Sequence, residues 1–344
     1  MRPLNKTRLV VSLVALAGLI GVGTSATRAL ADHPVVTIWD DFSAGFKIGT
    51  PDAKWFYFGT PDGFQANNGV TSVSGHRLTS RSPGTNPATG EPAYTLSGTI
   101  DHTKWLVYAN KFNGSYPGWK AELGEELVLG ARIGGRTFGT DDNPFGAAVP
   151  DDDDDLRLAS TAMSTADFET YTIFSFFMTN KRLYVWYERL PFLKSATYDY
   201  AAFNYGIPVA NRSPGDFHNL AVAFNKQRGT VRWLVEGVEV FKVTQIGRRL
   251  PSSTYLYTDH GGPDETVSPN QLALGMGSFS LLDGYRPNPT GKGLVHLFTY
   301  PYFKPGTTTP LTFIDEANLL ANRLFGQGAE VQAEVFAVAR VSTP

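Results

Sequence analysis

Phe217-His218-Asn219-Leu220-Ala221-Val222-Ala223-Phe224-Asn225-Lys226-Gln227-Arg228-Gly229-Thr230-Val231-Arg232-Trp233-Leu234-Val235-Glu236-Gly237-Val238-Glu239-Val240-Phe241-Lys242-Val243 is the stretch that decides the fold class. Leu220, Val222 and Phe224 alternate with Ala221 and Ala223, and Val231, Trp233 and Val235 alternate with Arg232, Leu234 and Glu236. Successive side chains of a strand point to opposite faces, so a period of two predicts strands with one face buried and one wet. Residues 225–229 and Glu236-Gly237 supply the turns, and Val238, Val240 and Val243 begin a third strand. The segment is an antiparallel meander.

Similar signals recur on both sides. Strands are predicted at residues 35–46, around Trp55, Tyr57 and Phe58, at His76-Arg77-Leu78, over 93–108 with Trp105, Val107 and Tyr108, and over 126–133. Three more fall around 156–163, 171–180 and 182–190, the last two joined at Asn180-Lys181 as a hairpin. Later strands are expected at 271–282, 294–300 and 329–341. One helix is expected over 313–325: Thr312 caps it, Asp315 and Glu316 suit its N-terminal end, and Gly326 stops it. Gly (35) and Pro (22) with 13% aromatic residues fit many short strands and tight connections, and the apolar content is too high for disorder.

The first residues carry an export signal. Arg2, Lys6 and Arg8 precede an uncharged stretch from Leu9 to Thr27, which ends near Ala29-Leu30-Ala31, a small-x-small cleavage pattern. The reading is a signal peptide over 1–31 and one domain over 32–344, secreted and free of the membrane after cleavage. An uncleaved anchor is the alternative, because the apolar stretch approaches the ~20 residues that span a bilayer. The chain has no cysteine, which excludes disulfides, thiolate metal sites and a cysteine nucleophile. Thirty basic against 32 acidic residues leave no field for nucleic acid or anionic lipid.

From Asp216-Phe217-His218-Asn219-Leu220 to Trp233-Leu234-Val235-Glu236-Gly237-Val238-Glu239-Val240 the chain resembles the concanavalin A-like lectin/glucanase superfamily. Trp39-Asp40-Asp41-Phe42 followed by Trp55 resembles its N-terminal strand, and 332–341 resembles the terminal strand that returns beside it. The chain also resembles secreted actinobacterial proteins to which no mechanism is attached. The superfamily resemblance implies an all-β fold: two antiparallel sheets in a jelly-roll β-sandwich, with a ligand cleft on the concave sheet. The retaining glucanases of that superfamily carry Glu-x-Asp-x-(x)-Glu on one strand, two acids about 5 Å apart acting as nucleophile and acid/base. This chain has no such motif, and 171–180, the strand that would hold it, has no carboxylate. Tyr302-Phe303-Lys304-Pro305-Gly306 after Val295-His296 resembles an alginate-lyase segment, without the Arg-(Ser/Thr)-Glu segment that accompanies it.

If Phe174, Phe176 and Met178 face the core, Tyr171, Ile173, Ser175, Phe177 and Thr179 face the cleft, joined by Tyr184, Trp186 and Glu188 from the next strand. Tyr171, Ser175, Tyr184 and Trp186 are the candidate ligand-binding residues. The opposing reading packs these aromatics beneath a loop. Glu188 is the first catalytic candidate, an acid/base with a raised pKa beside aromatics; the bland reading pairs it with an arginine. Asp167 and Glu169 are the second and third, at the cleft mouth or as turn formers. No cofactor is expected. Asp151 to Asp155 can hold Ca²⁺ or be a solvated, mobile loop. His218 reads as a structural strand-end residue, and His76, His102, His260 and His296 lack metal-ligand spacing. The expected function is binding of a carbohydrate or related small-molecule ligand. The alternatives are a glycoside hydrolase or polysaccharide lyase with a rearranged site, and a cyclase or isomerase acting on an apolar small molecule.

Overall fold

The computed structural model describes residues 35–96, 102–141, 149–284, 294–296 and 326–343. Two antiparallel sheets pack face to face, the jelly-roll sandwich that the resemblance implies. The eight-stranded sheet runs Val238–Val243, Thr230–Val235, Phe217–Asn225, Glu125–Phe138, Gly328–Ser342, Arg77–Arg81 and Val70–Ser74, with Val35–Asp40 also paired to Gly328–Ser342. The nine-stranded sheet runs Leu256–Asp259, Phe203–Asn211, Arg182–Arg189, Thr172–Met178, Ala159–Asp167, Gln271–Ser280, Thr103–Ala109 and Trp55–Tyr57, with Trp119–Lys120 also paired to Gln271–Ser280.

The alternation works as read. Leu127, Leu129, Ala131 and Ile133 meet Phe174, Phe176, Met178, Leu183, Val185 and Tyr187 in one core between the sheets. Trp233 links the layers: fully buried, it packs edge-on to Phe174 at 5.9 Å and donates its indole N–H to the Ser175 carbonyl across the interface at 3.0 Å. The Glu236-Gly237 turn takes positive φ at both residues (50° and 81°), the conformation that matches strand twist in a two-residue hairpin. Glu236 tolerates it because its carboxylate accepts the Asn219 backbone N–H at 3.0 Å and the Asn219 amide at 2.6 Å. Near the start of the described chain, the buried Asp40 carboxylate accepts the Trp55 indole N–H at 2.7 Å and the Phe42 N–H at 3.0 Å. That contact joins the acid and the tryptophan, fifteen residues apart in sequence.

Some expectations shift. The strand expected over 156–163 is Ala159–Asp167, so Asp167 is a strand residue and not part of a loop. The strand expected over 171–180 is Thr172–Met178, which leaves Tyr171 in the preceding turn. The 313–325 helix, the 302–306 segment and the 1–31 leader lie outside the described residues. No described helix is long and apolar enough to cross a membrane.

Trp233→Ala removes both the inter-sheet hydrogen bond and the largest side chain at the junction. It is expected to lower unfolding free energy by about 3–5 kcal/mol, read from urea midpoints.

Candidate functional site

The face of the nine-stranded sheet turned away from the core is built from small residues at its centre and large ones at its flanks. Pairing sets Ala162 opposite Gly277, Ser164 opposite Gly275 and Ala166 opposite Ala273, so two adjacent strands form a floor without bulk. On one flank Leu106 and Tyr108 pack with Phe56, Phe58, Phe64 and Phe168. On the other, Phe177, Tyr184 and Trp186 pack with Leu156, Tyr257 and Leu281. Ile173 and Phe279 touch both groups.

The glycines are what let the aromatics lie down. A Cβ on Gly275 would stand 2.7 Å from the Tyr108 ring and 2.3 Å from the Val107 carbonyl oxygen. A Cβ on Gly206 would stand 2.8 Å from the Tyr257 ring and 3.2 Å from that of Trp186. Stretched over Gly275, Tyr108 brings its hydroxyl to 2.8 Å from Ser164 Oγ, and the Ser175 hydroxyl donates to Ser164 Oγ at 3.3 Å. All three are buried.

Glu188 is half-buried at the end of this face, paired in register with Ile173 on one side and Asn204 on the other. Its Oε2 accepts the Trp186 indole N–H at 2.9 Å and its Oε1 accepts the Asn204 amide at 3.4 Å. Burial pushes the carboxyl up to about 7, against the pull of those two donors. Among the described residues no arginine pairs with it; the neighbouring Arg189 turns to Glu265 instead. Burial raises the Tyr108 phenol too, and the Glu188 charge adds to that rise, so the two groups feel each other's field. Asn204 is 8% exposed, and its Oδ1 has no hydrogen-bond donor.

The other candidates are placed differently. Asp167 lies on the core-side alternation with Met163, and its oxygens are taken by the Glu169 and Thr170 backbone N–H groups, the Thr170 hydroxyl and the Gln271 amide. Burial raises its pKa, and those donors oppose the rise. Glu169 accepts from Asn270 at 2.8 Å and Gln271 at 3.2 Å. Both acids tie the 168–171 turn to the next strand, and neither joins Glu188. Ser175 and Trp186 reach the outward face. Tyr184 does as well, but its hydroxyl is held by Asp154, 2.9 Å from the carbonyl and 2.8 Å from the carboxylate. Tyr171 sits in the turn at φ 53°, half-buried, with its ring edge-on to Phe192 at 5.5 Å.

Most of the acidic run is tied down by partners. Asp151 pairs with Lys181 at 2.6 Å, Asp153 accepts from Asn180 at 3.2 Å, and Asp154 takes Thr179 at 2.8 Å and Arg182 at 3.0 Å. Asp155 holds the buried Arg157. Four of the five acids have partners, three of them on the hairpin, so the run clasps the tip of the 172–189 hairpin and closes over Tyr184. Among the described residues no group of three or more His, Asp or Glu is placed to hold a metal ion. Sequence reasoning missed Tyr108, Ser164 and Asn204. The signal for the floor was the Ala273, Gly275, Gly277 alternation, which marks a face lacking side chains.

Glu188 binds its proton more tightly folded than unfolded, so stability falls as pH rises from its ordinary 4.5 through about 7. Glu188→Gln is expected to flatten that decline and to raise the urea midpoint at pH 8 relative to the wild type.

Among solved structures, the chain is similar to a sialidase (TM-score 0.39, 10% identity), covering 88% of this chain but only 18% of that one. It is also similar to the catalytic domain of an endo-1,3-β-glucanase (laminarinase) from Thermotoga petrophila RKU-1, with TM-score 0.41 and 11% identity over 91% of this chain and 100% of that one. An uncharacterized protein of Acanthamoeba polyphaga mimivirus is 29% identical over 310 residues, covering 74% of this chain and 67% of the relative. A family model spans residues 39–342, nearly the whole described sandwich, and the chain belongs to that family, the Family of unknown function (DUF6081).

Proposed function

We propose that this is an exported protein that binds a carbohydrate on the outward face of its nine-stranded sheet, at Glu188. The observation that carries the reading is the Glu188–Trp186–Asn204 cluster. It sets one carboxyl that is neutral in mild acid, one indole and one amide oxygen without a donor beside an apolar, small-residue floor. A sugar ring is amphipathic in the same way: its C–H faces suit aromatic walls and its hydroxyls suit a few fixed polar groups. The leader-like sequence over residues 1–31 supports export.

A second reading, a proton-transfer enzyme acting on a small apolar molecule, is favoured by one observation. An acid that titrates near 7 is matched to giving and taking a proton at neutral pH. Hydrolysis by two carboxylates fits less well, because Asp167 and Glu169 are committed elsewhere and neither converges on Glu188.

Calorimetry with neutral gluco-oligosaccharides and with uronate oligosaccharides tests the reading. Binding that dries Glu188 favours its protonated form, so affinity is expected to fall as pH rises past about 7. Glu188→Gln should remove that dependence, and Asn204→Ala should weaken binding about tenfold. Absence of saccharide binding, or equal affinity in both variants, would reject the proposal. Expression in a secreting bacterial host should give a mature chain beginning at Asp32, read by N-terminal sequencing; a retained leader would count against export.

A further inference from the structure

We propose that Tyr171 and Phe192 form a second sugar-binding station beside the Glu188 cluster, which makes the ligand an oligosaccharide and not a single sugar. This rests on the carbohydrate reading above. The two residues leave the hairpin where Glu188 sits: Ile173 pairs with Glu188, Thr172 with Arg189, and the Leu190 N–H donates to the Tyr171 carbonyl at 2.9 Å. Tyr171 stands two residues before Ile173, the register partner of Glu188, so its backbone lies at most about 7 Å from that pair along the chain.

Two observations mark the place. Tyr171 holds φ 53°, a left-handed conformation that glycine adopts freely and a bulky residue rarely adopts, and such strained residues gather at binding sites. Glycine would serve the turn better, so the side chain has a use of its own. Phe192 is 44% exposed, although it is a large apolar ring. The two rings meet at 84° with centroids 5.5 Å apart, so they form a corner with two apolar walls. The Tyr171 hydroxyl makes no hydrogen bond to a described residue and remains available to a ligand. Nearby Tyr198 is exposed too, but its hydroxyl is engaged with Glu265 and Arg189, so it does not compete for this role.

The test titrates the full chain with cello- and laminari-oligosaccharides of one to five rings, comparing wild type, Phe192→Ala and Tyr171→Gly. Glycine suits the left-handed backbone, so Tyr171→Gly should fold with a melting temperature no lower than wild type. In the wild type, affinity should step up once a second or third ring is added. Both variants should lose about tenfold in affinity for the longer chains and leave the shortest binding saccharide unchanged. A ladder without a step, or a step that survives in both variants while Asn204→Ala still weakens binding, would overturn the second station alone. Failure of every saccharide to bind the wild type would overturn it together with the reading on which it rests.

Discussion

The buried interface between the two sheets is the constraint on which everything else depends. A strand cannot move by one residue without sending its whole apolar set into water, so each position is tied to one face. Trp233 reinforces this from the eight-stranded side by hydrogen-bonding the Ser175 carbonyl, a backbone atom of the strand opposite. With Val185 and Tyr187 held in the core, Trp186 and Glu188 have only the outward face left. The position of this acid is therefore a by-product of core packing.

On that face the sheet trades bulk for reach. Gly275 and Gly206 give up side chains so that Tyr108 and Trp186 can lie across their neighbours. Laid flat, those rings dry the space between them, and the drying raises the Glu188 carboxyl. Glycine placement in two strands thus reaches the protonation of a third. Nothing covalent or metallic is needed for it.

Much of the sandwich was legible because alternation is a local property. The 217–243 meander appears as Phe217–Asn225, Thr230–Val235 and Val238–Val243, and the core side of 174, 176 and 178 follows from parity alone. The site was less legible. Glu188 stood out as the acid among aromatics, but Asn204 meets it through the register of the next strand, and Tyr108 comes from a strand far away in sequence that only the sheet order brings near. The acidic run misled for a related reason. Five aspartates in a row suggest repulsion and solvation, and only the folded hairpin supplies Lys181, Asn180, Thr179 and Arg182 to receive three of them. Tyr171 looked like a strand residue because its positive φ leaves no trace in the sequence.

The place of Gly328–Ser342 in the sheet order has a consequence for how the molecule comes into being. This strand lies between Glu125–Phe138 and Arg77–Arg81, and Val35–Asp40 also pairs with it. Until it arrives, the strands on its two sides have no hydrogen-bonding partner in common. A chain emerging from the ribosome therefore cannot close this layer piecemeal. It must hold open edges while nearly three hundred residues are made, a long-range closure of the kind that folds slowly. Until Gly328–Ser342 is made, the edges of Glu125–Phe138 and Arg77–Arg81 that it covers stay open.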